Sequence, residues 1–233
     1  MGNAETIQLH HVRKTYGAGT SGTAALKDVT LHFGRGEFTA IIGKSGSGKS
    51  TLLNMISGID RPTSGEIVHG ESLLHDMSEN ELAAWRGRNI GMVFQFFQLI
   101  PTLTVLENLL LPMDFCGIVP TRLRRQRAER LVTKMGVAQY SNSLPHSLSG
   151  GEQQRVAIAR SLVNDPAFII ADEPTGNLDT QNAKSITALL REMSAEGKSV
   201  VIVTHDQEIA DVADRIVSIH DGAVLADIKA VIR

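Results

Sequence analysis

The stretch Ile41-Ile42-Gly43-Lys44-Ser45-Gly46-Ser47-Gly48-Lys49-Ser50-Thr51 limits this chain more than any other. Gly43, Gly48, Lys49 and Ser50 fit G-x-x-x-x-G-K-[ST], the spacing of a phosphate-binding loop. Glycines let the backbone bend so tightly that successive N–H groups point inward at a polyphosphate. Residues 38–42 read as an apolar strand. Residues 50–57 read as a buried helix carrying Leu52, Leu53, Met55 and Ile56, with Gly58 as its stop. The start of that helix adds the positive end of its dipole. Lys49 brings a point charge to the β- and γ-phosphates, and the Ser50 hydroxyl can ligate Mg²⁺. The competing reading is a flexible Gly/Ser loop, but the strand before it and the helix after it are the context the pattern demands.

A second constellation lies at Phe168-Ile169-Ile170-Ala171-Asp172-Glu173, an apolar strand ending in two acids. Beside a phosphate loop, Asp172 is placed to organise Mg²⁺ and Glu173 to polarise an attacking water. Without that loop, the pair reads equally well as turn-initiating residues. A third piece is Leu148-Ser149-Gly150-Gly151-Glu152-Gln153-Gln154-Arg155. Ser149 and Glu152 stand three apart, as in a capping box. The box leaves unexplained two first-turn glycines, each of which weakens a helix by about 1 kcal/mol. Glycines there admit a phosphate to the free N–H groups. One chain then holds two phosphate-binding helix starts, and the economical explanation is that the second serves a nucleotide on another copy.

The rest of the chain alternates strand and helix, which implies an α/β fold with a mainly parallel sheet. Residues 7–42 read as strands forming an antiparallel region, with Ile7, Leu9 and His11 alternating. Between the first two lie Lys14-Thr15-Tyr16-Gly17 and a small-residue loop at 18–23. Tyr16 has two readings: a ring that stacks on a purine, or a strand-end aromatic packed on the core. Capping boxes open helices at Ser78 and Thr104; the first is expected to run through Trp85 and the second to stop at Pro112. Residues 121–135 place Ala128, Leu131, Val132 and Met135 on one face and Arg122, Arg124, Arg125, Arg127 and Arg130 on the other. That basic face is a solvated surface or a contact with nucleic acid or lipid headgroups. A closing hairpin turns at Asp221-Gly222. One domain over residues 1–233 is expected, with a nucleotide-binding core at 1–95 and 161–233 and a helical subdomain at about 96–160.

A net charge of −2 on 233 residues, 21% of them charged, does not mark a nucleic-acid binder. A single cysteine, Cys116, excludes an internal disulfide and fits a reducing compartment. No apolar run reaches the ~18 residues that cross a bilayer, so membrane work is expected to pass through a partner.

Together these motifs resemble the nucleotide-binding subunit of an ATP-binding-cassette transporter, over essentially the whole length. The resemblance rests on the loop at 43–50, Gln95 after a strand, Leu148-Ser149-Gly150-Gly151-Glu152-Gln153-Gln154-Arg155, the acids 172–173, Asn177-Leu178-Asp179, and His205 after the last core strand. It implies a P-loop NTPase core and a head-to-tail homodimer sandwiching two ATP. Each ATP lies between residues 43–51 of one copy and Ser149, Gly150, Gly151 and Glu152 of the other. By position, Tyr16 matches the aromatic that stacks on adenine. Gln95 matches the residue that reaches Mg²⁺ and the attacking water and senses the membrane partner. Asp179 matches the acid that acts across the dimer, and His205 the histidine that contacts the γ-phosphate. Residues 54–65, 91–95 and 174–179 resemble the subgroup for lipoprotein release, macrolide or peptide export and cell-division signalling. The implied partner is a separate transmembrane permease, and the implied place is the cytoplasmic face of the cell membrane, through that partner. Phe96, Phe97, Leu99, Ile100 and Pro101 are expected to dock the permease or to fill the subdomain core. Two other classes remain: a nucleotide-dependent regulator of a membrane partner without transport, and a soluble cassette acting on ribosome or DNA.

Overall fold

In the computed structural model, residues 6–17 and 22–229 are described. In chain order the first elements are β1 (Ile7–Tyr16), β2 (Thr23–Phe33), β3 (Phe38–Ile42), α1 (Lys49–Ile56), β4 (Ser64–His69), β5 (Ser72–Leu73) and α2 (Glu79–Asn89). Then come β6 (Ile90–Phe94), α3 (Val105–Cys116), α4 (Thr121–Lys134), α5 (Gly150–Ser161), β7 (Phe168–Asp172) and α6 (Thr180–Ala195). The chain closes with β8 (Ser199–Val203), α7 (Gln207–Asp211), β9 (Arg215–His220) and β10 (Ala223–Lys229). These elements form two compact units: Met1–Ala83 with Met193–Arg233, and Ala84–Glu192.

In the first unit, β2, β1, β4 and β5 form an antiparallel sheet in that order. Ile7 and Leu9 are buried, but His11 breaks the alternation and faces solvent. The register jumps from Leu9↔Leu31 to Val12↔Val29, so Val12 takes the buried seat instead. His11 adopts a left-handed φ of 52°, and its backbone N–H is satisfied by Thr30 Oγ1 at 3.1 Å. Such a bulge shifts every following side chain to the other face. The small-residue loop expected at 18–23 lies mostly outside the described residues.

Strand β3 lies between β8 and β9, parallel to both, and β10 runs antiparallel to β9. The register pairs Ile41 with both Val203 and Val217. The loops after β3 and β8 therefore leave at the same carboxyl-end edge, where ligands bind in parallel sheets. The hairpin turn takes positive φ at both Asp221 and Gly222, as a two-residue turn between twisted strands requires.

In the second unit, β6 and β7 pair in parallel from Ile90↔Phe168 to Phe94↔Asp172. Helices α3, α4 and α5 pack on one another around Leu109, Met113, Ala128, Val132 and the run Val156-Ala157-Ile158-Ala159, all buried. Helix α3 does not stop at Pro112; it runs on to Cys116 and ends at Gly117 with φ 64°. A proline forfeits its own N–H and crowds the carbonyl four residues back. Buried apolar side chains along the helix, Leu106, Leu109 and Met113 among them, oppose that local loss. Helix α2 likewise extends past Trp85 to Asn89. On the basic face of α4, Arg124 pairs with Asp114, Arg125 with Glu129, and Arg127 donates to the Val163 carbonyl.

Candidate nucleotide site

The phosphate loop grows out of β3. Gly48 is the N-cap of α1 with φ 103°; no side chain caps the helix, and its first turn carries no acid. The helix start is thus left to an external anion. A Cβ on Gly48 would lie 2.5 Å from the Ala25 carbonyl, and one on Gly43 would collide with the Ile219 carbonyl. Both positions are closed to any other residue because the loop is pressed between β2 and the β9–β10 turn. Gly222 N–H donates to the Ser47 carbonyl at 2.9 Å, and Lys27 N–H to the Gly222 carbonyl at 2.7 Å. Lys49 folds its ammonium back over the loop, donating to the Gly43 and Lys44 carbonyls at 2.9 Å each. Ser47 Oγ is buried without a hydrogen-bond partner. An ammonium lying inside a ring of backbone, beside an orphaned hydroxyl and an uncapped helix, fits a polyphosphate. Lys44, Ser45, Gly46 and Ser50 are exposed along the same loop.

His205 lies two residues past the end of β8, one of the two parallel partners of β3. Thr204 N–H donates to the Ile41 carbonyl at 3.1 Å, which places position 205 at the edge where the phosphate loop begins. Tyr16 is 43% exposed and belongs to a small network. Its hydroxyl donates to Asp60 Oδ2 at 2.9 Å, and the Thr51 side chain hydrogen-bonds the same phenol. Lys14 Nζ lies 4.8 Å from the centre of the Tyr16 ring and donates to Asp60 Oδ1 at 2.7 Å. Burial, then the Asp60 hydrogen bond, hold the phenol above its ordinary pKa. Burial pushes the Asp60 carboxyl up, but bonds from Lys14, Arg61 N–H and Tyr16 outweigh it and leave the group below its ordinary value. The core-packed alternative for Tyr16 does not describe this exposed ring, which Asp60 holds through its hydroxyl and Lys14 approaches at its face.

In the second unit the Phe94↔Asp172 pairing sets Gln95 next to the acids. Asn177 Nδ2 donates to the Gln95 carbonyl at 3.1 Å, and a Cβ on Gly176 would lie 2.9 Å from Gln95 Nε2. Glu173 holds left-handed backbone, φ 45°, and its carbonyl accepts from Gly176 N–H at 3.1 Å. Strain of this kind persists only where surroundings enforce it. Part of the enforcement is Gln154, fully buried on α5, whose Nε2 donates to the Pro174 carbonyl at 2.7 Å.

At the start of α5, Ser149 and Glu152 form the reciprocal capping box. A hydrogen bond from Tyr140, then those from Ser149, hold the Glu152 carboxyl below its ordinary pKa. Gly151 packs so closely on Asn182 that a Cβ would overlap its side chain. Asn182 in turn donates from its backbone and side chain to Asp179, which keeps that carboxyl low. Residues 150–151 and 177–182 are therefore one contact surface. The second unit brings together Gln95, Asp172 and Glu173, and separately Gly150, Gly151 and Asp179.

Lys14, Asp60, Tyr140, Gln154, Arg160 and Asn182 escaped the sequence reading as site-shaping residues. Lys14 lies two residues before Tyr16, and Asp60 and Gln154 lie inside the stretches 54–65 and 148–155, so these three carried a local signal. Ser50, Gln95 and Asp172 each carry an oxygen donor of the kind that Mg²⁺, a hard cation, takes beside waters and substrate phosphate oxygens. No cluster of three or more His, Cys, Asp or Glu that could hold a metal occurs among the described residues.

A glycine-cradled loop between a parallel strand and an uncapped helix, with a buried lysine folded over it, defines a P-loop nucleoside triphosphatase. A family model described as "ABC transporter" matches residues 26–176. The uncharacterized ABC transporter ATP-binding protein YknY of Bacillus subtilis (strain 168) is 46% identical over 219 residues, covering 94% of this chain and 95% of that protein. The macrolide export ATP-binding/permease protein MacB of Syntrophobacter fumaroxidans is 41% identical over 229 residues, covering 97% of this chain but 32% of that protein. Among solved structures, the dimeric post-hydrolysis state of the ATP-binding cassette MJ0796 bound to ADP and Pi superposes with a TM-score of 0.88 at 44% identity, covering 96% of this chain and 98% of that one. The chain belongs to the ABC transporter family and is its ATPase cassette.

Proposed function

We propose that the cassette works as an ATP-dependent homodimer that drives a membrane-spanning permease from the cytoplasmic face of the membrane, in the export or mechanotransmission subgroup. The observation that carries this reading is the phosphate loop: Lys49 folded over the Gly43 and Lys44 carbonyls beside the buried Ser47 hydroxyl. The dimeric MJ0796 cassette and the ATP-binding/permease name of MacB support the homodimer and the partner. Among the described residues no helix is long and apolar enough to cross a membrane.

In this reading Lys44, Ser45, Gly46, Ser47, Gly48, Lys49 and Thr51 cradle the phosphates of ATP, and Tyr16 stacks on its adenine. Bound Mg²⁺ neutralises phosphate charge, with Ser50, Gln95 and Asp172 as its protein ligands. Glu173 accepts the proton of the attacking water, Gln95 orients that water, and His205 contacts the γ-phosphate. Ser149, Gly150, Gly151 and Glu152 present their helix start to the nucleotide of the other copy, with Asp179 acting across the same dimer. The helical lobe is proposed to span residues about 96–160. Phe96 is 69% and Ile100 36% exposed there, and both are proposed permease contacts.

Two variants test the reading. Glu173→Gln is expected to bind ATP, turn it over slowly and elute as a dimer only when ATP is present. Normal turnover removes Glu173 as the base. Lys49→Ala is expected to lose ATP binding in equilibrium titration; retained tight binding sinks the assignment of the loop.

A further inference from the structure

Two consecutive residues after Gln95, Phe97 (φ 58°) and Gln98 (φ 53°), hold left-handed backbone. Neither is glycine, so both are sterically strained, and two in a row need something to hold them. The holder is on α5. Arg160 Nη2 donates to the Phe97 carbonyl at 2.8 Å, and Nη1 donates to the Gln98 carbonyl. A planar guanidinium spans two adjacent carbonyls, whereas the point charge of lysine does not. Beyond the pair, Asn108 fastens the chain again: its Oδ1 accepts from Ile100 N–H at 2.8 Å, and its Nδ2 donates to the Ile100 carbonyl at 3.2 Å.

The clamped segment touches two parts of the proposed machinery. Gln95 lies at its upstream end, beside Gly176 and Asn177. The Phe97 ring reaches back along α5 to the helix start, where a Cβ on Gly150 would lie 3.7 Å from Phe97 Cζ. Arg160, in the last turn of α5, and Gly150, in its first, thus bracket one strained dipeptide.

We propose that Arg160 is a positioning residue for ATP hydrolysis, acting by clamping Phe97 and Gln98 in left-handed backbone so that Gln95 and the Gly150 start of α5 keep one geometry. The inference rests on the roles proposed above for Gln95 and for residues 149–152. Without the clamp the dipeptide relaxes toward ordinary backbone, the Phe97 ring leaves Gly150, and the catalytic geometry is populated less often.

The test uses the full chain, with ATP turnover measured against ATP concentration and heat unfolding in parallel. Arg160→Met is expected to lower kcat about tenfold with KM for ATP changed less than about twofold, the pattern of a lost catalytic geometry rather than lost ground-state binding. Gln98→Gly, at an exposed side chain, is expected to turn over normally alone and to recover most of the loss in the Arg160→Met background, because glycine adopts positive φ without strain. A residue that merely stabilises the fold gives no such rescue. Gln98→Val, with Arg160 intact, is expected to lower kcat, since a β-branched residue resists positive φ. Unchanged kcat in Arg160→Met, or no recovery with Gln98→Gly, overturns the proposal. Should Arg160→Met fail to fold, Gln98→Val and Gln98→Gly decide alone: equal turnover in the two overturns it. A native chain without ATPase activity sinks the functional reading itself; an active chain indifferent to these changes sinks only the role of Arg160.

Discussion

Arg215 offers the most quantitative test of how the first unit is held together. The side chain is 4% exposed. Its Nε and Nη2 donate to the two oxygens of Asp227 at 2.6 Å each, and its Nη1 donates to Glu37 Oε2 at 3.2 Å and to the His32 carbonyl. The guanidinium also lies 5.8 Å from the centre of the Phe33 ring. One residue therefore ties the end of β2, the lead-in to β3, and β10 onto β9. Arg215→Met keeps the apolar stem and removes the charge. Breaking a buried ion pair from one side costs ~3–5 kcal/mol. The low end applies, about 3 kcal/mol, because Asp227 is 38% exposed and regains water, and Lys229 remains 3.7 Å from Glu37. For a chain of this size, that is a fall in Tm of roughly 6–12 °C.

The assay is heat unfolding followed by circular dichroism for Arg215→Met, Asp227→Asn and the double variant. The double-mutant cycle should return a coupling of at least ~1 kcal/mol. The loss should also depend on pH with a definite sign. The bond from Arg215 holds the Asp227 carboxyl below its ordinary pKa. A depressed carboxyl adds stability above its unfolded pKa and loses it as pH falls through the folded value. The gap between native and variant should thus be full at pH 7 and shrink below about pH 4. A Tm change under ~3 °C, additive single variants, or a gap that widens in acid would each refute the argument.

Gly48→Ala should lower ATP affinity at least ~100-fold, since the added Cβ meets the Ala25 carbonyl at 2.5 Å on backbone that alanine resists; isothermal titration with near-native affinity would contradict it. Gln154→Met should leave Tm within a few degrees, because it removes the orphaned Oε1 together with the bond to Pro174, each worth ~1–3 kcal/mol and opposite in sign. Its kcat should nevertheless fall, as the peptide after Glu173 loses its tether; full turnover in steady-state kinetics would remove that role. Lys14→Met should raise KM for ATP several-fold with kcat kept, because the ammonium that holds Asp60 and covers the Tyr16 ring is gone. An unchanged KM would detach Lys14 from the nucleotide.

Much of the fold was legible in local patterns. The strand, loop and helix at 38–56 are announced by an apolar run, glycine spacing and helical periodicity, all properties of neighbours along the chain. The capping boxes at Ser78, Thr104 and Ser149 form as read, because their partners lie three residues apart. Sequence reading failed where a distant group decided the outcome. Pro112 is a stop signal in isolation, yet the helix runs on past it to Cys116, where Met113 is buried by packing with α4 and α5. His11 continues an alternation on paper, yet a bulge gives the buried seat to Val12.

The same division runs through the candidate site. The sequence by itself determined the proposed inventory: from its motifs the phosphate loop at 43–51, the acids at 172–173 and the glycine-bearing helix start at 149–152, and through the family resemblance Tyr16, Gln95, Asp179 and His205. Only the tertiary structure decided how these are aimed. Asp60 lies 44 residues from Tyr16, and Arg160 lies 63 residues from Phe97. No periodicity or short motif reaches across such separations. Side chains that aim other side chains are selected by the geometry of packing, and packing distances exist only once the chain has folded.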